Sequence, residues 1–514
     1  MNQQLKRGVA GKRGSASSRS AKAPHLGAAL RMTQQQHDQL QAHLFPGDGK
    51  EAVALAVCGR AGTAASPYNT SRPRQVLTIH RIVPVAYADC DRGPAHVTWR
   101  TDALVSVLQM AASRNMAVLK IHSHPEHFPR FSPTDDHSDR EIFAAISNYI
   151  DGSLPHASAI MLPDGSMFAR LVSSVGAFET IESVSVVGAD WRIWYASDIC
   201  VNASADARNS LSKADVERHA FSERTRQAFG SGTVDILSRL SIAVIGASGT
   251  GSPVVEMLAR LGVGELVLVD PDVIEDKNRN RILHSTARDA RRKTKKVEVL
   301  ARAVRQMGLG TRVLPIDGSL WDEGVVARVA QCDAAIGGMD SVDGRDLLNR
   351  LASYYSIPYI DIGVHLDADG NGGVSQISGS VHYIFPGGSS LVSRGVFTPD
   401  EVRAAVLRRT EPDSYREQVE AKYIKGADED RPAVISVNML FASLGVNELL
   451  ARLHGFRDDP NFEYGRTQMS LTQWRMATEA EAAPCGNLGR KVGRGDLVPL
   501  LDTPSLSGPG TANV

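Results

Sequence analysis

Two histidines, a serine and an aspartate, His122, His124, Ser132 and Asp135, fall in one short run, HSHPEHFPRFSPTD. Two imidazoles and a carboxylate are the donors of a three-ligand zinc site whose fourth position is left to water, which is how a catalytic zinc is held. The flanking residues indicate which elements carry them. MAVLKI, residues 116–121, predicts a short buried strand with the histidine pair at its end. Side chains alternate along a strand, so His122 and His124 share a face, as two ligands of one ion require. After a proline-broken loop, Ser132-Pro133 predicts a helix start, with Ser132 as cap and Asp135 in the first turn.

Over about residues 30–195 the pattern resembles the JAMM (Mov34/MPN-plus) metalloproteases, which hydrolyse bonds at the C-terminus of ubiquitin-like proteins. The resemblance implies an α/β domain with a curved mixed sheet and Zn2+ on His122, His124 and Asp135. It also implies a glutamate from an earlier strand as general base. GDGKEAVALAVCGR reads as a turn followed by a strand, and Glu51 is the matching residue. Ser132 would donate a hydrogen bond to the tetrahedral oxyanion. His127 and His137 lie outside the pattern and are expected at the surface.

A second chemistry begins at Leu240, in LSIAVIGASGTGSPVVEMLARLGVGELVLVDPDVIEDKNRNR. An apolar strand runs into a turn containing Gly246, Gly249 and Gly251, then an amphipathic helix (Val254, Val255, Leu258, Leu261), then a strand ending at Asp270. This βαβ layout aims backbone N–H groups at phosphates. Ser248 takes the middle place of G-x-G-x-x-G, and up to this point a dehydrogenase fits equally well.

The residues beyond that strand exclude a dehydrogenase. Asp270-Pro271-Asp272 leads to Asn278, Arg279 and Arg281, then to a basic helix start at Lys293, Lys295 and Lys296, and later to Asp340, Arg345 and Asn349. From about Glu223 to Leu453 the series resembles the ubiquitin-activating superfamily of ThiF-, MoeB- and HesA-like adenylyltransferases. The resemblance implies that Asp270 holds the ribose of ATP, Asn278 and Arg281 contact phosphates, Lys296 neutralises charge at the α-phosphate, and Asp340 holds Mg2+. A carboxylate attacking a phosphate brings two anions together, so cations must screen the repulsion. Lys295 competes with Lys296 for its role, and Arg279 is as well placed for solvent as for phosphate. In SERTRQAFG, Arg226 matches an arginine that reaches the nucleotide site of a second subunit, which implies a homodimer.

The chain departs from that superfamily where two Cys-x-x-Cys pairs often bind a structural zinc. Ser390 and Ser393 stand at the first place and Cys485 alone at the second, so no structural zinc is expected in this half. Of the five cysteines, Cys332 is expected to be buried and inert, and Cys485 is the remaining candidate for a thioester.

With 514 residues, two sizeable domains plus tails are expected, and 57 basic against 57 acidic side chains favour neither nucleic acid nor membrane as partner. Few, unspaced cysteines suit a reducing, cytoplasmic setting, and no apolar run reaches the length of a membrane span. The divisions expected are a disordered basic tail (1–25), the peptidase domain (26–198), a polar linker (199–222), the adenylation domain (223–480) and a partly disordered C-terminal segment (481–514). The second domain is expected to be a doubly wound, Rossmann-like, mostly parallel sheet, with strands near 241–246, 265–270, 311–317, 333–338 and 358–363. A long apolar-faced helix in RPAVISVNMLFASLGVNELLARLHG should close its core and offer a dimer contact.

Together the resemblances imply a bifunctional enzyme of a bacterial-type ubiquitin-like pathway. One half would cleave at the C-terminal glycine of a ubiquitin-like protein, and the other would adenylate that carboxylate with ATP. A conjugating-enzyme-like protein is a further expected partner. Two alternatives stay open: processing and activation of a sulfur-carrier protein, and a scaffold that binds such tails without turnover.

Overall fold

The computed structural model describes residues 27–62, 66–68, 73–150, 152–200, 220–368, 371–421, 433–497 and 500–502. The basic tail, most of the linker (201–219) and residues 503–514 lie outside the described residues.

The first half is built on an eight-stranded sheet in the order β1-β3-β2-β6-β7-β8-β9-β10. Its strands are β1 (Ala28–Thr33), β2 (Val53–Ala61), β3 (Val76–Pro84), β6 (Ala117–Ser123), β7 (His156–Met161), β8 (Met167–Val172), β9 (Phe178–Val187) and β10 (Trp191–Tyr195). β1 pairs with β9 as well as β3, so the sheet curls until it closes on itself. Closure explains why β2 and β6 are buried along their whole length and carry apolar residues on both faces. Helix α1 (Gln34–Leu44) covers one face, with Leu40 and Leu44 buried; α2 (Asp102–Ser113) and α3 (Pro133–Ile150) cover the other, where Val107, Phe143 and Ile146 meet Leu55 and Val57. A hairpin of β4 (Cys90–Gly93) and β5 (His96–Trp99) stands outside the sheet.

The second half carries another eight-stranded sheet, ordered β13-β12-β11-β14-β15-β16-β17-β18. β11 (Ser241–Ile245), β12 (Glu265–Val269), β13 (Arg312–Ile316), β14 (Ala334–Gly337) and β15 (Tyr359–Ala368) are parallel and fall where the sequence places them. β16 (Val374–Ile384), β17 (Arg466–Ser470) and β18 (Arg475–Glu479) extend the sheet antiparallel, an extension the periodicity does not reveal. The helix Ile435–Leu453 packs Phe441, Val446 and Leu449 into the core, as expected.

The two halves share a buried, polar seam. Arg31 of β1 is 1% exposed and donates to the carbonyls of Ala330, Gln331, Cys332 and Tyr355. Arg74 binds the Asp333 carboxylate at 2.6 Å and the Gln331 carbonyl at 3.2 Å. The C-terminal segment crosses the same seam as a strap rather than trailing free. The Gly493 carbonyl accepts from the Gly59 N–H and the Thr78 hydroxyl of the first half. On the other side, the Gly493 and Gly495 N–H groups donate to the Ser353 and Tyr354 carbonyls of the second half. Leu500 and Leu501 then bury in the core of the second half. The disorder expected at the very end of the chain falls on 503–514, outside the described residues, whereas 481–497 and 500–502 are ordered. Backbone hydrogen bonds to both halves, not composition, fix this segment.

Candidate metal centre and nucleotide cavity

β6 brings His122 to the end of a fully buried strand, where it pairs with Val53 of β2 and Ile160 of β7. His124 comes just outside the strand, tied by its N–H to the Met161 carbonyl. Ser132 caps α3: its N–H and hydroxyl both donate to Asp135 Oδ2 at 2.7 Å, and the Asp135 N–H returns to the serine oxygen. The His122 and His124 Nε2 atoms lie 3.1 Å apart, and Asp135 Oδ1 and Oδ2 lie 3.0 and 3.8 Å from them respectively.

The donor set fits a zinc ion. Three ligand atoms lie within 4.8 Å of one another, the only such cluster of His, Cys, Asp or Glu among the described residues. The Phe128 carbonyl, 2.7 Å from His124 Nδ1, holds the proton on that nitrogen and leaves Nε2 with its lone pair. Burial pushes the His122 ring below the ordinary histidine value, so it stays neutral, the form that ligates. For Asp135, burial acts upward but the hydrogen bonds from His122 and from the Ser132 hydroxyl and N–H outweigh it, keeping the carboxyl ionised and well below the usual range.

Glu51 precedes β2 and is 7% exposed; its N–H donates to the Gly93 carbonyl and its own carbonyl accepts from Arg92. It lines a cavity of about 400 Å³ together with His122, His124, Ser132 and Asp135. Burial, then the Asp135 charge, raise its carboxyl to about 8. Ser132 also faces this cavity, but its proton is engaged by Asp135, so an oxyanion would have to draw it away. His127 and His137 are exposed, as expected. Residues that the motifs do not point to also line the same cavity, among them Lys120, one strand repeat before His122, Trp99 of β5, Glu126 and the exposed His127.

In the second half, Gly246 comes directly after β11 with φ +91°, a conformation side chains resist. Gly251 opens the helix Gly251–Arg260 so close to this turn that a Cβ would lie 1.8 Å from the Gly246 carbonyl oxygen. Asp270 at the end of β12 braces the turn, accepting from the Ala247 N–H at 2.8 Å and the Asp272 N–H at 2.9 Å. A cavity of about 660 Å³ opens here, at the C-terminal ends of the parallel strands, where open α/β sheets bind ligands. Gly246, Gly249, Asp270, Asn278, Arg281 and Lys296 line it, and so does Asp340 from beyond β14.

The structure separates the two competing lysines. Lys296 lies in the cavity wall, 2.7 Å from Asp272 and 3.7 Å from Asp270, with its side chain 8% exposed. Lys295 points away, to the Pro271 carbonyl and Asp317. Arg279 pairs with Asp276 outside the cavity. Gly251 shapes the turn without lining the cavity. Arg226 pairs with Asp235 and hydrogen-bonds Ser222, and is not brought to the chain's own nucleotide cavity. Asn438, from the distant helix Ile435–Leu453, and Trp321 also line the cavity; nothing near either residue in the sequence marks it as site-forming.

At the place of the first cysteine pair, Ser390 and Ser393 cap each other, and Arg394 binds Glu481 at 2.6 Å, both buried. Cys485 is tied by its N–H to the Gly388 carbonyl beside them. Cys332 is buried, with its thiol pushed up by burial, and Cys58 lies inside β2 with its thiol raised to about 12 by burial.

A three-donor cluster of the kind that holds a metal and a nucleotide-type crossover on one chain define a fusion of a JAB-like unit and a ThiF-type unit. The chain belongs to the ThiF family, whose model matches residues 222–487, and the model of prokaryotic homologs of the JAB domain matches residues 33–172. It is 35% identical over 120 residues to a SAMP-activating enzyme E1 of Haloferax volcanii, covering 23% of this chain and 43% of that protein. It is 36% identical over 114 residues to the adenylyltransferase and sulfurtransferase MOCS3 of Xenopus laevis, covering 22% and 25%. The chain thus matches under half the length of each of these relatives. Crystalline E. coli MccB aligns with 54% of this chain and 72% of its own at 17% identity and a TM-score of 0.41, too distant to bear on function. No helix among the described residues is long and apolar enough to cross a membrane.

Proposed function

We propose that the chain is a bifunctional cytoplasmic enzyme that cleaves at the C-terminal glycine of a ubiquitin-like protein and then activates that carboxylate with ATP. The observation that carries the reading is the ThiF-type cavity, which gathers Asp270, Asn278, Arg281, Lys296 and Asp340 around one glycine turn.

In the peptidase half, His122, His124 and Asp135 would hold zinc. When bound, zinc supplies a Lewis acid that polarises the scissile carbonyl and makes a nucleophile of water at neutral pH. Glu51 accepts the proton of the attacking water and delivers it to the leaving amine. Burial, chiefly, raises its carboxyl to about 8, so it would hold the proton it takes up, and zinc, when bound nearby, would favour the ionised form that accepts it. Ser132 turns its hydroxyl from Asp135 to the developing oxyanion.

In the adenylating half, the glycine carboxylate attacks the α-phosphate and pyrophosphate leaves. Lys296 and Arg281 neutralise charge on the phosphates, Asn278 donates to them, Asp270 receives the ribose hydroxyls, and Asp340 would hold Mg2+. Joining the halves raises the effective concentration of the cleaved tail near the second site.

The test is ATP–pyrophosphate exchange with a ubiquitin-like protein ending in Gly-Gly. Exchange that requires the intact C-terminus supports activation; bound ATP without exchange for any such partner refutes it. The relative named adenylyltransferase and sulfurtransferase favours a second reading in which the adenylate passes to sulfur rather than to an amine. Trapping the product as a thiocarboxylate or as an isopeptide decides between them.

A further inference from the structure

The metal ligands come from two elements, His122 and His124 from β6 and its C-terminal extension, and Asp135 from α3. A charged bridge joins these same two elements just behind the site. Lys120 lies on the face of β6 that bears His122, 5% exposed, and its ammonium contacts the carboxylate of Asp139, which is wholly buried one helical turn beyond Asp135. Asp139 also receives Nε and Nη2 of Arg170, at 3.2 and 2.7 Å. Arg170, on β8, reaches Asp136 with its other amino group. Its guanidinium is clamped between the rings of Phe131 and Phe178, 3.8 and 3.7 Å from their centroids. Phe131 directly precedes the cap Ser132, so the bridge grips the first turn of α3 from both sides.

Its chemistry explains its place. Asp135, Asp136 and Asp139 crowd three carboxylates into the start of one helix, with Glu51 and Glu126 on the same cavity. Without compensating cations, repulsion would drive that turn away from the strand. Two cations against Asp136 and Asp139 remove the repulsion there and leave Asp135 as the one carboxylate turned to the histidines.

We propose that Lys120 and Arg170, acting through Asp139 and Asp136, are positioning residues that set the distance between β6 and α3 and thereby preorganise Asp135 for zinc. This rests on the assignment of His122, His124 and Asp135 as a metal centre. Groups of this kind behind a metal ligand are worth about 10- to 100-fold in metal affinity.

The test is zinc affinity of the full-length apo-protein by competition with a chromogenic chelator, with the melting temperature of the same apo samples as control. Lys120→Met is expected to weaken zinc about 10-fold or more, and Lys120→Arg to restore most of it. Lys120→Met can leave too much buried negative charge for the fold. The double variant Lys120→Met/Asp139→Asn removes that charge while still lacking the bridge, and must also bind zinc weakly. Wild-type zinc affinity in either variant overturns the proposal alone. A wild-type chain that binds no zinc overturns the metal-centre assignment and the proposal with it.

Discussion

At the scale of single residues, position within a cavity decides role. Glu51 shares its cavity with the cluster of His122, His124 and Asp135 but is not one of its three donors, so the two proposed roles can be tested apart. Glu51→Gln is expected to keep stoichiometric zinc while cleavage of a glycine-ended fusion falls about 10²- to 10⁴-fold. Parallel loss of zinc would assign Glu51 to coordination instead. The adjacent lysines give a sharper contrast, because only Lys296 lies in the cavity wall. Lys296→Ala should lower pyrophosphate exchange by about 10²-fold or more, the usual size for losing a preorganised charge, and Lys295→Ala should change it by less than about threefold. Equal effects would mean that the two ammonium groups exchange places when nucleotide binds.

At the scale of elements, two buried histidines make both sheets sensitive to acid. His156 opens β7, accepts the Val118 N–H at 3.1 Å and stacks on Phe143. His382 sits within β16. Burial chiefly lowers each ring to about 3 from an ordinary 6.5, helped by Arg60 at His156 and opposed by Asp361 at His382. A folded value below the unfolded one means the unfolded chain binds more protons between the two. Stability is therefore complete above 6.5 and falls as pH drops towards 3, by about 1.4 kcal/mol per pH unit for each ring. Urea midpoints at pH 7.5, 6 and 5 should decline, and His156→Asn should flatten the decline. A midpoint independent of pH over this range would contradict the assignment of neutral rings.

At the scale of the whole molecule, the strap at 492–495 meets β2 at Gly59, about 20 Å along the strand from Val53, which faces His122. The candidate metal centre therefore lies at the end of the sheet remote from the strap. Gly493 has φ +67°, and a Cβ there would come 2.0 Å from the Ile79 carbonyl oxygen. Gly493→Val should strip the strap from the first half at a cost of about 2 kcal/mol. Calorimetry is expected to resolve two unfolding transitions in place of a coupled one, with protease cleavage between the halves accelerated. An unchanged single transition would show that the Arg31 and Arg74 seam suffices by itself.

Local chemistry, read from the chain alone, was enough for the clustering of His122, His124 and Asp135, the glycine turn, the five parallel strands and the helix start at Ser132, because each depends on neighbours a few residues apart. Spacing within a strand or a helical turn is a property of the covalent chain. What needed the tertiary structure was every feature formed between distant segments. These are the placing of Lys296 rather than Lys295 in the cavity wall, the entry of Asn438 into the cavity, the Lys120–Asp139–Arg170 bridge and the ordering of the strap. Burial and charge pairing across hundreds of residues depend on which surfaces meet, and only the packed molecule brings those surfaces together.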